Sequence, residues 1–240
     1  MTAFSQTNRI YPFLFLNLGA CLSALPPASA QSSLIERIQK TENTIVTIEA
    51  QKLDLGQTGA GVIIDPARYM VTTNPVAYVV TNTHTILYAQ FIFVTLQDGT
   101  RLPASIASIA PDSDFTILKI NSPSPLKAIP WADSQNVQWD DKIIAIGNSA
   151  LWKETISEGK IKSIGRSQSE AGQMIEVLET DLNLDNGDSG GPILDRNGNF
   201  LGIVVAKNTR MDRSSYVIPS NKIREHFLKY LSESRHYDEK

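Results

Sequence analysis

The chain has 240 residues, of which 42% are hydrophobic and 20% charged, as in globular domains rather than in disordered or coiled-coil chains. A net charge of −3 gives no basic excess of the kind that nucleic-acid binders carry, so no nucleic-acid partner is expected. One cysteine excludes a disulfide scaffold, and with three histidines it leaves little for a structural zinc site, so no metal is expected.

The first 30 residues have the pattern of a secretory signal peptide. They carry Arg9 but no acidic residue, continue through an apolar run over residues 10–25, and end in Ala-Ser-Ala at 28–30. The pattern predicts cleavage after residue 30 and export to the periplasm or the medium. The alternative is a lipobox that ends at Cys21, which would anchor the protein to a membrane.

A short helix and a first series of strands follow. Ser33 and Glu36 have the spacing of a capping box and predict a helix that ends near Glu42. Tyr-Met-Val-Thr at 69–72 and Tyr-Val-Val-Thr at 78–81 resemble each other and are expected to form the two arms of one hairpin. The complete first series of β-type runs covers residues 44–49, 61–64, 69–72, 78–81, 91–96, 105–109 and 115–120.

A linker at 122–130, with Pro123 and Pro125 near its start, separates this series from a second one. The second series covers residues 142–146, 159–164, 174–179, 192–194, 200–206 and 216–218. Ser220 then caps a helix with an apolar face. The predicted organisation is all-β with two small barrels: residues 31–121 for the N-terminal helix and first barrel, 131–220 for the second barrel, and 221–240 for the C-terminal helix and tail.

The strongest chemical signal is Asn-Gly-Asp-Ser-Gly-Gly-Pro at residues 186–192. Glycines around Ser189 allow a sharp turn that exposes the hydroxyl and lets backbone N–H groups point into one small space. Acyl transfer needs this combination of a nucleophilic oxygen and donors for the developing oxyanion. Ser189 is therefore the candidate nucleophile.

The nucleophile needs a base, and the base needs a carboxylate. His84 directly follows a predicted strand, whereas His226 and His236 lie in the C-terminal helix and tail, so His84 is the candidate base. Asp114 opens the strand at 115–120 and is the candidate for orienting the imidazole, with Asp112 as the competing carboxylate.

Together these residues resemble the chymotrypsin-like serine peptidases, and most closely their HtrA/Deg branch, over residues 44 to about 231. The order His, Asp, Ser and the Gly-Asp-Ser-Gly-Gly-Pro string are shared with the superfamily. The segments similar to HtrA motifs are residues 59–65, 81–84, 114–120, 146–148 and 216–220.

The resemblance implies two six-stranded antiparallel barrels, hydrolysis of polypeptides and no cofactor. It implies an oxyanion hole made by the backbone N–H groups of Gly187 and Ser189. It also implies a primary substrate pocket, for which the matching positions are Asn183, Val205, Ala206, Lys207, Ser215 and Tyr216. About 20 residues follow Ser220, so no PDZ domain and no PDZ-mediated partner are expected.

Two other functions use the same residues. The first is an esterase or another acyl hydrolase with the same triad, and the second is a chaperone-like binding module with a silent site. Asp188 stands where HtrA proteins commonly have Asn, as in trypsin-like zymogens that are activated by a cut before an Ile such as Ile45. Because Lys40 is the nearest upstream cation, no basic cleavage site adjoins Ile45, and we expect activity without such a cut.

Overall fold

A computed structural model describes residues 36, 38–39, 41–53, 56–65, 75–147, 155–168, 174–182, 184, 188–207 and 214–238. In this part of the chain the strands form two closed antiparallel barrels, ordered β1-β2-β3-β6-β5-β4 and β10-β11-β12-β9-β8-β7. The first contains β1 (Ile45–Gln51), β2 (Gly56–Asp65), β3 (Val76–Thr81), β4 (Phe91–Thr95), β5 (Arg101–Ala110) and β6 (Phe115–Asn121). The second contains β7 (Lys142–Gly147), β8 (Thr155–Gln168), β9 (Met174–Thr180), β10 (Pro192–Leu194), β11 (Phe200–Lys207) and β12 (Ser215–Pro219).

Helical segments are few. Helical residues at 36, 38–39 and 41–42 precede β1, and α1 (Thr83–Ile86) follows β3. A 3₁₀ turn covers Ser134–Asn136, and α2 (Ser220–Asp238) follows β12. Within the described residues neither α1 nor α2 is long and apolar enough to cross a membrane. The prediction of an all-β fold with two six-stranded barrels and a C-terminal helix is thereby confirmed.

Strand β3 is a continuous apolar run in the sequence because both of its faces are buried. Val76, Tyr78 and Val80 pack into a core that both barrels share, whereas Ala77 and Val79 point into the first barrel. A strand that is buried on both faces has no polar alternation. The sequence therefore indicates a strand here without indicating which face meets which core.

The shared core also holds α2 against the barrels. Ile223 and Phe227 on one face of the helix are buried, and the Tyr78 ring lies 5.0 Å from the Phe227 ring and 5.9 Å from the Tyr230 ring. Residues at intervals of three and four lie on the same side of a helix, so the predicted apolar face packs as expected.

The segment between the barrels is held to both of them. The Ile129 N–H donates to the Ile63 carbonyl in the first barrel at 2.9 Å. One residue on, the Pro130 carbonyl accepts from the Phe200 N–H in the second barrel at 2.6 Å. This connection therefore fixes the two barrels side by side.

The predicted hairpin between residues 69–72 and 78–81 is wrong. Val79 pairs with Ile63 on one side and with Leu118 on the other, so both hydrogen-bonding edges of β3 are taken by β2 and β6. Residues 69–72 themselves lie outside the described residues. Local sequence similarity suggested pairing, but closure of the barrel selected other partners.

His226 on α2 is half-buried between the helix and the first barrel. Its Nε2 lies 2.8 Å from Ser108 Oγ on β5, and its ring meets the Phe115 ring edge-on at 5.2 Å. Burial, and then the charge of Lys229, lower the pKa of His226 below its ordinary value, although Glu233 acts in the opposite direction. The packing therefore favours the neutral imidazole.

The lowered pKa predicts a pH-dependent contribution of His226 to stability. The unfolded chain takes up the imidazole proton at higher pH than the folded chain, so the free energy of unfolding falls as the pH drops below about 6.5. Thermal unfolding of wild type and His226→Gln, at neutral and mildly acidic pH, checks this. The variant should lose less stability on acidification, and an equal loss in both proteins would contradict the assignment.

Candidate active site

Ser189 lies in a tight turn between the end of β9 and β10. The Gly191 N–H donates to the Asp188 carbonyl at 2.8 Å, which closes a four-residue turn. Gly190 has φ +83°, as the third position of a type II turn requires, and a Cβ there would lie 2.1 Å from the Ala60 carbonyl oxygen. The backbone conformation and the lack of space for a Cβ therefore both require glycine at position 190. Ser189, directly before it, is partly exposed.

The turn is bonded to both barrels. The Ala60 N–H of β2 donates to the Ser189 carbonyl at 2.9 Å, which joins the turn to the first barrel. In the second barrel, the Gly190 N–H donates to the Val204 carbonyl at 2.9 Å, and the Val204 N–H donates to the Gly191 carbonyl at 3.0 Å. The backbone of Ser189 is thus fixed at the seam between the barrels.

His84 in α1 is held by Asp114 through two contacts. The backbone N–H of His84 donates to Asp114 Oδ1 at 2.9 Å, and His84 Nδ1 lies 2.5 Å from Asp114 Oδ2. A carboxylate at Nδ1 favours the tautomer that carries the proton there, which leaves Nε2 as an acceptor. This is the state in which an imidazole can take a proton from a neighbouring hydroxyl.

Asp114 is positioned in turn by the strand ends around it. Asn82 Nδ2 donates to the Asp114 carbonyl at 3.0 Å, and Thr83 Oγ1 lies 2.9 Å from Thr116 Oγ1. The competing carboxylate, Asp112, is exposed to solvent, and both carboxylate contacts to His84 come from Asp114. The geometry therefore brings Asp114, rather than Asp112, to the imidazole.

The segments that carry His84 and Ser189 approach each other at Gly59 of β2. A Cβ at Gly59 would lie 2.8 Å from Thr85 Cγ2, next to His84 in the chain, and 3.4 Å from the Ser189 carbonyl oxygen. The absence of a side chain lets α1 and the serine turn approach the same point of the strand. The arrangement can support nucleophilic acyl transfer with general-base assistance.

Comparison with known proteins shows to which family this domain belongs. A sequence model of the trypsin-like peptidase domain matches residues 59–203. The chain belongs to this family. The periplasmic serine endoprotease DegP of Salmonella typhimurium is 34% identical over 169 residues, which are 69% of this chain and 34% of that protein. The chain thus spans about a third of the length of the curated relatives that it matches.

Solved structures show the same fold. The HtrA-type protease AlgW with a tripeptide superposes with a TM-score of 0.73 at 24% identity, over 84% of this chain and 64% of that chain. A serine endoprotease from Yersinia pestis gives 0.69 at 23% identity, over 84% and 68% of the two chains.

The predicted substrate-pocket residues of this peptidase domain fall into three groups. Asn183, like Gly187 of the predicted oxyanion hole, lies outside the described residues. Ala206 and Lys207 pair with β12 through the β11 backbone. Val205 is buried in the shared core, Ser215 is buried with its hydroxyl donating to the Leu182 carbonyl at 2.9 Å, and Tyr216 is half-buried. The side chains of Val205 and Ser215 are buried and do not line an open pocket. The assignment of these six positions to a substrate pocket therefore stays a prediction.

Sequence reasoning assigned no role to Ala60 or Thr81, although both contact the serine turn. Their signal is weak in a single sequence because their partners lie in distant segments.

Among the residues that the structure describes, no three or more His, Cys, Asp or Glu side chains are grouped as a metal site would need.

Replacing Gly190 by alanine is expected to disrupt the serine turn of the peptidase domain. The new Cβ would overlap the Ala60 carbonyl, and the left-handed φ costs a non-glycine residue on the order of 1–3 kcal/mol. Gly165→Ala on β8 is the matched control, since a Cβ there meets nothing within 4 Å. Differential scanning fluorimetry should show a lowered Tm for Gly190→Ala alone; equal Tm values would contradict the required turn.

Proposed function

We propose that the chain is an exported serine endopeptidase in which Ser189, His84 and Asp114 form the catalytic triad. The observation that carries the proposal is the double contact of Asp114 with His84, through Nδ1 and the backbone N–H. It holds the imidazole on the first barrel, to which the Ser189 carbonyl is also bonded through the Ala60 N–H. Membership of the trypsin-like peptidase family supports the same assignment.

In the proposed mechanism His84 Nε2 accepts the Ser189 proton as Oγ attacks the scissile carbonyl carbon. Asp114 stabilises the imidazolium that forms. The backbone N–H groups of Ser189 and Gly187 would bind the oxyanion. The imidazolium then gives its proton to the leaving amine, and water releases the acyl group with His84 again acting as base.

The proposed substrates are polypeptides, and the proposed place of action is outside the cytoplasm. Relatives over the same domain are named periplasmic serine endoproteases. The signal pattern in residues 1–30 agrees with export, and those residues lie outside the described part of the chain.

We also infer that no cut before Ile45 is needed. Thr44 and Ile45 are both buried, the Thr44 carbonyl accepts from the Ile63 N–H at 2.8 Å, and Ile45 pairs with Val62. A peptidase would have to open the first barrel to reach this bond. Activation as in trypsin-type zymogens would therefore oppose the packing of β1.

The test uses protein that starts at Gln31, with β-casein and p-nitrophenyl acetate as alternative substrates. An endopeptidase cleaves casein at internal bonds, and this cleavage disappears in Ser189→Ala. Hydrolysis of the ester without cleavage of casein would indicate an esterase instead. Loss of both in the uncut protein, with casein cleavage gained after a cut before Ile45, would indicate a zymogen.

A further inference from the structure

Ala60 of β2 links the serine turn to Thr81 through its two backbone polar groups. Its N–H donates to the Ser189 carbonyl at 2.9 Å, and its carbonyl accepts from Thr81 Oγ1 at 2.7 Å. The same carbonyl lies against Gly190, where a Cβ would be 2.1 Å from it and 2.9 Å from Thr81 Oγ1. Thr81, Ala60 and the serine turn therefore form one continuous set of contacts across the barrel seam.

Thr81 carries a hydroxyl in a fully buried position at the end of β3. It ends β3 directly after Val79 and Val80, and all three side chains are fully buried. Valine would fill nearly the same volume, so packing does not require the hydroxyl. A buried hydroxyl needs a hydrogen-bond partner, and the Ala60 carbonyl supplies it. Thr81 also lies three residues before His84, on the barrel that carries the base.

We propose that Thr81 is a positioning residue for the nucleophile, a role that rests on the proposed function. Its hydroxyl fixes the Ala60 carbonyl, and Ala60 in turn holds the Ser189 backbone through its N–H. Because β3 leads directly to His84, this link sets the separation between a base on one barrel and a nucleophile on the other. Proton transfer and attack depend steeply on such a separation.

Fluorophosphonate labelling of Ser189 can measure this role without a known substrate. The maximal labelling rate reports alignment of the nucleophile, and the half-saturating concentration reports probe binding. Thr81→Val removes the hydroxyl but keeps the shape. We expect the maximal rate to fall about tenfold, the rate equivalent of one hydrogen bond of ordinary strength, with the half-saturating concentration unchanged.

Three further variants separate positioning from stability. Thr81→Ser should label near the wild-type rate, and Thr81→Ala should be as slow as Thr81→Val. The difference between the Ser and Ala variants tests the role of the hydroxyl even if Thr81→Val does not fold. Thr44→Val is the matched control, because Thr44 is also buried and donates to a backbone carbonyl, that of Thr41, at 2.6 Å. It should label at the wild-type rate. The pH dependence of labelling should keep its shape throughout, because the contacts of His84 with Asp114 are intact.

Equal labelling rates in wild type and Thr81→Val would overturn the positioning role. So would an equal loss in Thr44→Val, or the same rate in the Ser and Ala variants. Failure of the proposed function looks different, because the wild-type protein itself would then take no label.

Discussion

Replacing Ser189 by alanine is expected to lower the maximal rate of peptide hydrolysis by about 10⁶-fold, because the members of a triad act as one unit. His84→Ala should cause a loss of similar size, since a serine hydroxyl without a base is a poor nucleophile. Steady-state cleavage of β-casein by the purified variants measures both losses.

Ser108→Ala is the control for this prediction. Ser108 Oγ lies 2.8 Å from Nε2 of His226, a histidine outside the proposed triad. Its removal should leave hydrolysis unchanged. If Ser108→Ala instead lost hydrolysis while Ser189→Ala stayed active, the chemistry would lie at Ser108 and His226. That result would contradict the proposed triad.

Asp114→Asn is the second large effect, an expected loss of about 10⁴-fold in kcat. The amide preserves size but cannot stabilise the imidazolium, and it can hold the imidazole in the wrong tautomer. Two contacts to His84 depend on this carboxylate, at 2.9 Å to the backbone N–H and at 2.5 Å to Nδ1. Casein cleavage at saturating substrate measures the loss, and circular dichroism checks that the variant is folded.

Asp112→Asn is the matched control, since it makes the same chemical change two residues earlier in the same turn. Asp112 is exposed, so its variant should cleave casein at the wild-type rate. A greater loss in Asp112→Asn than in Asp114→Asn would reverse the assignment of the carboxylate.

The positions of many strands could be predicted because they depend on residues that are close together in the sequence. Turn residues and apolar runs located the strands, and strand β10 at Pro192–Leu194 has the predicted bounds. Longer strands such as β8, Thr155–Gln168, extend well beyond the predicted 159–164. They do so because backbone pairing continues past the apolar centre of a strand, through residues such as Arg166 that are exposed.

Long-range pairing was the part that the sequence did not reveal. The wrong hairpin at 69–72 and 78–81 rested on local similarity, whereas β3 is paired by closure of the barrel. The candidate site likewise has a part that could be predicted from the sequence and a part that could not. His84, Asp114 and Ser189 could be proposed as a triad because their chemistry is distinctive. The Ala60 link to Ser189, in contrast, joins residues 129 positions apart through backbone atoms. Backbone contacts leave little trace in the side chains of one sequence.

Mapping the site of a fluorophosphonate adduct tests the central claim most directly. The protein starting at Gln31 is labelled, digested and analysed by mass spectrometry, beside Ser189→Ala and Asp114→Asn. The proposed triad predicts one adduct per chain on the peptide that contains Ser189, much slower labelling of Asp114→Asn and none of Ser189→Ala. Absence of an adduct in the wild type, or an adduct on another residue such as Ser108, would contradict it.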